Sequence, residues 1–211
     1  LRPFDATRLG DHRFDAQLDD LSPQARAAWV AHVRETLDAL PRKVDYAKLT
    51  RDGQIDFEIL RHELAKSLWL AENTRPYEED PRIYSEYLSD SVFLLLAQSS
   101  LPKETNLAHA LARIEQMPKI IAAARENLRH VPAAHLETAI GQNRGAIAFY
   151  ERDFFVLVGD TPQLAALQAA AARLVERLKE YQRFLEPICG RGRQGNGGWG
   201  ARSSVGSSIW S

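Results

Sequence analysis

The sequence predicts an all-α protein, a bundle of six or seven helices that run mostly antiparallel to their neighbours. Apolar residues recur at helical spacing over most of the 211 residues, and the alternating Val, Ile and Thr pattern that marks strands is missing. A capping residue followed by proline, at Ser22, Asp80 and Thr161, marks three helix starts. With 45% hydrophobic and 26% charged residues, the chain is long enough to bury one sizeable core.

Six helices are predicted in turn, after an irregular or short helical lead-in over residues 1–20. Their ranges are 22–40, 53–73, 80–98, 106–128, 132–157 and 161–185. Pro41 is expected to end the first, and Pro118 to kink or split the fourth near Gln116, because proline removes a backbone donor. Helical periodicity places seven large side chains mostly in the core. They are Trp29, Leu37, Leu64, Leu68, Leu95, Leu111 and Leu174.

The composition changes abruptly after Pro187, which predicts a helical domain over residues 1–187 and an irregular, unstructured tail over 188–211. The tail holds seven of the twelve glycines, five serines and the single cysteine, and it has no acidic residue. Such a segment buries too little apolar surface to offset its ordering entropy. It is a flexible linker, an Arg/Gly tail that binds single-stranded nucleic acid, or the product of a frameshift. We favour the frameshift, because the neighbouring frame can read DLRPRATGEWRLGREKFGRKLDLE, a charged continuation of the preceding helix.

The charge balance argues against nucleic acid and anionic membranes as partners. Outside the tail the chain has 24 basic and 28 acidic residues, a net charge of −4. The longest strongly apolar stretch, residues 92–97, is far shorter than the ~20 residues that span a bilayer. A single cysteine, Cys189, excludes an internal disulfide framework. The compartment stays open between periplasm and cytoplasm, since the chain starts at Leu1 and not at Met.

No catalytic residue and no metal ligand is predicted in this chain. The run RHELAK resembles a zinc-peptidase helix, but Lys66 stands where the second histidine ligand is needed. The Glu-x-x-His pair of di-metal bundles and the G-x-S-x-G serine motif are both missing. Asp11, Asp15, Asp19 and Asp20 lack the spacing of a calcium loop and are expected to be solvated caps and turn residues. We therefore expect no cofactor here.

Four stretches together resemble the amino-terminal half of the bacterial family catalogued as domain of unknown function 885. They are PFDATRLGDHRFDAQLDDLSP, IDFEILRHEL, RPYEEDPRIY and RIEQMPKIIAAARENL, and their order and spacing carry the resemblance over residues 4–186. The frame-restored GEWRLGREKF is similar to the segment with which that family continues. Eight positions match the family and have no assigned role: Asp11, His12, Arg13, Asp15, Arg75, Asp80, Pro81 and Tyr84.

Members of that family are longer than this chain and resemble gluzincin-type metallopeptidases, with an HExxH zinc helix in their carboxyl-terminal half. The resemblance implies a non-catalytic helical fragment that forms one wall of a substrate cleft. Zinc, a peptide substrate and the missing carboxyl-terminal half would belong to the intact protein. The alternative is a stand-alone helical interaction module whose Gly/Arg-rich tail is a binding segment. A fragment is also expected to expose an apolar patch, on the later helices.

Overall fold

The computed structural model describes residues 2–97 and 100–194, with side chains up to Ile188. Within these ranges every regular element is helical, which confirms the all-α prediction. The α-helices are α1 Pro3–Arg8, α2 Pro23–Lys43, α3 Arg51–Asn73, α4 Pro76–Glu79, α5 Arg82–Leu88, α6 Asp90–Ala97, α7 Lys103–Asn127, α8 Ala133–Ala148, α9 Phe154–Val158 and α10 Leu164–Gln194. Short 3-10 turns cover His12–Phe14 and Tyr46–Lys48, and a π-turn covers Phe149–Asp153.

The core lies where α7 and α8 pack along α10, with α5 and α6 packed across them. Leu107, Met117, Leu136, Leu178 and Tyr181 are all within 1% of complete burial there. Because each of these helices presents apolar residues three and four positions apart, each contributes one continuous stripe to the shared interior. This part of the chain is the rigid body that holds the amino-terminal segment.

Two of the three predicted helix starts, at Ser22 and Thr161, have a side-chain cap, whereas α5 begins after Pro81 without one. Ser22 Oγ accepts from Ala25 N at 3.2 Å, and Pro23 occupies the first helical position of α2. Thr161 Oγ1 accepts from Gln163 N at 3.3 Å just ahead of α10. Each cap satisfies a backbone N–H that has no partner inside its helix, which is why the sequence signal is reliable.

Prolines inside helices do not end them, contrary to two of the predictions. α2 continues past Pro41 to Lys43, and α7 is unbroken through Pro118, so the expected split near Gln116 is wrong. Buried residues immediately beyond Pro118, Ile120 and Ile121, hold this turn of α7 against the core. A proline removes one hydrogen bond, and packing of the flanking turns offsets that loss.

The last helix also runs further than predicted. α10 passes through Pro187 and reaches Gln194, so residues 188–194 have helical backbone where an irregular tail was expected. The remainder of the predicted tail, residues 195–211, lies outside the described residues. Two other predicted helices are subdivided. Ser89 separates α5 from α6, and the π-turn interrupts the fifth helix before it ends at Gly159 with φ 55°.

α2 and α3 form a hairpin that packs mainly on itself and stands apart from the core. Its interior is small, with Val33 and Phe57 as its buried residues. Leu37, Leu64 and Leu68 are only half-buried. Trp29 is 39% exposed, so its predicted burial is wrong. Two helices alone enclose little volume, and a side chain on the flank of the pair stays in contact with solvent.

The exposed apolar residues concentrate on this hairpin and not, as predicted, on the later helices alone. Ile59 is 56% exposed and Trp69 59%, and Ile55 lies one turn before Ile59 on the same face of α3. A smaller exposed set, Val156 among it at 81%, lies on α9. By contrast, the predicted core residues Leu95 and Leu174 are buried in the main body. Leu111 packs against that body half-buried.

Candidate functional site

The eight positions that matched the family lie in two places. His12 and Asp15 belong to a polar network between the amino-terminal segment and α7, and Asp11 and Arg13 form an exposed pair beside it. The other four, Arg75, Asp80, Pro81 and Tyr84, belong to the α4 turn and the start of α5, beside an open cleft.

Asp15 is the centre of the polar network and is completely buried. The chain reverses after α1 at Gly10, whose φ of 81° is a conformation that glycine adopts without strain. The following 3-10 turn brings His12 and Asp15 side by side, and His12 Nδ1 donates to Asp15 Oδ2 at 2.8 Å. Thr7 Oγ1 donates to Asp15 Oδ1 at 2.6 Å. Both carboxylate oxygens are thus held.

The other nitrogen of the same imidazole faces a serine. His12 Nε2 lies 3.2 Å from Ser100 Oγ, a residue 88 positions away in sequence. Because Asp15 only accepts hydrogen bonds when ionised, the hydrogen of the neutral imidazole is placed on Nδ1, and Nε2 then keeps its lone pair towards Ser100. Asp15, His12 and Ser100 therefore form a carboxylate–imidazole–hydroxyl chain, with Ser100 exposed to solvent.

A buried arginine lies beneath this chain. Arg113 is completely buried and donates to Ser91 O at 2.6 Å and to Thr7 Oγ1 at 2.5 Å. Desolvation by burial lowers the pKa of Arg113 to about 10, and the charges of Asp15 and Asp19 oppose that shift. The guanidinium remains charged at neutral pH and faces the carboxylates of the network.

A second buried aspartate joins the amino-terminal segment to α5. Asp19 accepts from Phe4 N and from the Tyr87 hydroxyl, both at 2.9 Å. The expectation that Asp15 and Asp19 are solvated turn residues is wrong, because both are buried with hydrogen-bond partners. Asp11 does cap the 3-10 turn as expected, and its bidentate hydrogen bonds with Arg13 lower its pKa to about 2.

One glutamine on α7 completes the attachment of the amino-terminal segment. Gln116 Nε2 donates to Ala16 O at 2.8 Å, and Gln116 Oε1 accepts from Leu18 N at 3.1 Å. These residues are about 100 positions apart in sequence. The pairing gives backbone groups in the lead-in the partners that a helix or sheet would otherwise supply.

An open cleft of about 930 Å³ lies between the hairpin and the α4 turn. Its walls come from the first half of α2, the end of α3 and the RPYE residues, with Trp29 and Leu70 as exposed apolar contributors. Positively and negatively charged side chains both line the cleft. Arg26 and Arg75 are among the positive ones and Glu72 is among the negative ones. The family-matching Arg75 thus faces the cleft.

The remaining family-matching residues build the wall beside the cleft. The Tyr84 hydroxyl donates to Tyr77 O at 2.8 Å and accepts from Asn127 Nδ2 at 3.3 Å, and burial raises the Tyr84 pKa. Arg26 stacks on the Tyr77 ring at 4.6 Å. Asp80 accepts hydrogen bonds from the backbone N–H and the guanidinium of Arg82. These bonds fix the turn at the buried Pro81.

Across the described part of the chain, His, Cys, Asp and Glu side chains do not gather in groups of three or more that could hold a metal ion. Nor does any helix in those ranges combine the length and apolar character that a bilayer crossing requires. His62 of the RHELAK run is exposed, and Lys66 pairs with Glu63 at 2.5 Å.

The profile of the family described as bacterial protein of unknown function, DUF885, matches residues 3–197. The chain belongs to the DUF885 family. The match runs ten residues beyond Pro187, into the predicted tail. No curated protein matches this DUF885 chain.

Among solved structures, the fold is similar to that of a candidate lipoprotein of unknown function from Shewanella oneidensis. The TM-score is 0.80 at 24% sequence identity. The match covers 95% of this chain and 36% of the other, so the DUF885 chain spans about a third of that protein's length. Identity at this level establishes a shared fold alone.

Sequence reasoning found the two regions but not the residues that connect them to the core. It singled out His12 and Asp15 without a partner, and it missed Ser100, Arg113 and Gln116 altogether. The arginine and the glutamine sit on the core-facing side of α7, and a polar residue at a core position is the signal that could have marked them. Ser100 lies in the connection before α7 and has no such signal.

Proposed function

We propose that this chain is the helical amino-terminal part of a longer zinc-peptidase-like protein and forms one wall of its substrate cleft. The zinc ion, its ligands and the catalytic base come from the remaining part of that protein. The observation that supports the proposal best is the open cleft of about 930 Å³ beside a hairpin with unpartnered apolar faces.

The chemistry of the cleft suits an extended peptide. Arg26 and Arg75 offer donors for carboxylates and backbone carbonyls, while Asp20 and Glu72 offer acceptors for ammonium and amide groups. Trp29 supplies an apolar surface for a side chain. Binding sites for small ligands combine apolar walls with a few polar groups in this way.

The open face of α3 suits a covering partner. Ile55, Ile59 and Trp69 lie within an arc of about 80° around α3, which is one face of the helix, and each is at least 40% exposed. Large apolar side chains exposed on one helix face often mark an interaction surface, and here His62 and Lys66 lie between Ile59 and Trp69 on that face. In the proposal, further helices of the longer protein pack here and close the cleft on its second side.

Metal analysis of two proteins, side by side, tests the assignment of zinc. One is this chain and the other is the product of the full gene, read through the Pro187 junction. A catalytic zinc site requires three protein ligands and a water. We expect stoichiometric zinc and chelator-sensitive peptide cleavage in the longer protein only. Tight one-to-one zinc in the 211-residue chain would overturn the assignment.

Sequencing of the gene across Pro187 tests the frameshift. A neighbouring frame that continues into an HExxH-coding region supports the proposal, and stops in both frames favour the stand-alone module. Dye binding of the purified chain gives an independent readout. We expect strong fluorescence enhancement of a hydrophobic dye, reduced by Ile59→Asp and unchanged by Arg61→Asp on the neighbouring exposed position of α3. A monodisperse chain that binds no dye contradicts the fragment interpretation.

A further inference from the structure

We propose that Ser100 is a catalytic nucleophile, that His12 is its general base and that Asp15 positions the imidazole, so that the chain carries a serine-type centre for ester hydrolysis. This centre is separate from the cleft and does not depend on zinc. It revises the prediction that the chain contains no catalytic residue.

The order of atoms is the one that nucleophilic serine chemistry requires. Asp15 Oδ2 is 2.8 Å from His12 Nδ1, and His12 Nε2 is 3.2 Å from Ser100 Oγ. The carboxylate fixes the tautomer that leaves Nε2 unprotonated, and the Ser100 hydroxyl can then donate to that nitrogen. Both distances lie within the roughly 2.6–3.2 Å reach of effective proton transfer.

The burial of the three side chains follows the same order. Asp15 has 0% side-chain exposure, His12 has 28%, and Ser100 is exposed. A buried carboxylate interacts strongly with a neighbouring imidazolium, because little water screens the pair. Thr7 Oγ1 holds the other carboxylate oxygen, so Asp15 cannot rotate away from His12. The nucleophile itself stays accessible to a substrate.

Other serines in the described part of the chain show what an ordinary hydroxyl does here. Ser89 Oγ donates to Ser85 O at 3.1 Å, and Ser91 Oγ donates to Tyr87 O at 2.6 Å. Each bond goes to the backbone carbonyl four residues earlier, a common arrangement for serine in helical segments. Ser100 lies outside the helices and faces an imidazole.

The reaction can be written with all atoms accounted for. Ser100 Oγ attacks the carbonyl carbon of an aryl ester while His12 Nε2 takes the hydroxyl proton. The bond from carbon to the phenolic oxygen breaks, and the phenol leaves with the proton from His12. Water then attacks the acyl-Ser100 ester, again losing its proton to Nε2, and releases the carboxylic acid and Ser100.

Esters with good leaving groups are the substrate class that this geometry suits. A positioned general base contributes about 10²–10⁴-fold to a proton transfer, which is sufficient for an activated ester. Because Ser100 and His12 lie at the surface, small aryl esters reach them without entering the cleft.

Fluorophosphonate labelling of the purified chain, followed by peptide mapping, tests the proposal directly. Ser100 Oγ displaces fluoride from phosphorus and becomes phosphonylated. We expect one label per chain on Ser100, with loss of labelling in Ser100→Ala and at least 10²-fold slower labelling in His12→Gln. The matched controls, Ser89→Ala and His62→Gln, should label at the parent rate. Absence of label on Ser100, in a reaction that labels a known serine hydrolase, overturns the proposal.

The pH profile separates chemistry from structural support. The labelling rate should rise with pH, and His12→Gln should remove that dependence while circular dichroism shows an unchanged helical fold. Two further groups on α7 face the pair, Arg113 and His109, whose Nδ1 lies 3.9 Å from Asp15 Oδ2. Asp15→Asn should slow labelling without abolishing the Ser100 adduct. Chelators should have no effect, which distinguishes this activity from the zinc chemistry of the proposed function. A Ser100 rate that is independent of His12 refutes the mechanism.

Discussion

Tyr87→Phe removes one buried hydrogen bond and changes little else. The Tyr87 side chain is 5% exposed, and its hydroxyl donates to Asp19 Oδ2 at 2.9 Å. Phenylalanine keeps the ring and its contact with Phe4, whose centroid lies 5.2 Å away. Asp19 retains the bond from Phe4 N but loses the donor on its other oxygen, apart from Arg2 at 3.9 Å.

The expected loss follows from the charge on the acceptor and from its burial. A hydrogen bond to a charged group contributes about 1.5–3 kcal/mol, and a stranded buried oxygen costs a similar amount. We therefore expect Tyr87→Phe to destabilise the protein by about 1.5–3 kcal/mol. In a domain of this size, that lowers Tm by about 3–12 °C.

Tyr46→Phe is the matched control, since it removes the same kind of tyrosine–carboxylate hydrogen bond at a solvent-exposed position. The Tyr46 hydroxyl donates to the Glu58 carboxylate, but the Tyr46 side chain is 37% exposed. Solvent replaces the lost partner there, so the change should stay within about 0.5 kcal/mol. Urea denaturation followed by circular dichroism measures both variants at constant m-value. Equal losses in the two variants would refute the argument that burial sets the cost.

Two further predictions concern charge and backbone. Arg13→Gln should raise the Asp11 pKa from about 2 towards its ordinary 3.8, as measured by NMR titration of the carboxyl. Because the folded-state pKa is lowered, the pair stabilises fully above pH 3.8 and loses its effect as pH falls towards 2. Gly159→Ala should cost about 1–3 kcal/mol, because φ is 55° and a Cβ would lie 3.2 Å from Lys103 Nζ. Gly141→Ala, with open space around it in α8, should instead stabilise by about 0.5–1 kcal/mol in thermal unfolding.

Helix positions could be predicted from sequence because their causes are local. The caps at Ser22 and Thr161 act within three residues of themselves, and the structure keeps both. The effect of a proline is not local in the same sense. Pro118 interrupts a helix only if the flanking turns are weakly packed, and α7 has its core contacts on both sides of it. The prediction of side-chain burial on the hairpin was wrong for a similar reason. Periodicity identifies the apolar face of a helix, but it does not show whether another element packs against that face.

The candidate site was only half visible in the sequence. His12 and Asp15 are three residues apart, so a turn can join them and their type suggests polar chemistry. Ser100 lies near His12 because α6 packs against α7, which places the start of α7 beside the amino-terminal segment. Two residues that are 88 positions apart belong to no helical periodicity and to no sequence motif, so their proximity is visible only in the folded chain.

The attachment of the lead-in to Gln116 imposes an order on synthesis at the ribosome. Leu18 and Ala16 cannot meet their partner until about 100 further residues have been translated, which takes about 5–20 s at bacterial rates. During that interval the backbone groups of Ala16 and Leu18 lack the glutamine that binds them in the folded chain. Residues 16–18 are therefore among the last of this domain to become native, and a nascent chain stalled before residue 116 should remain open to protease over that segment.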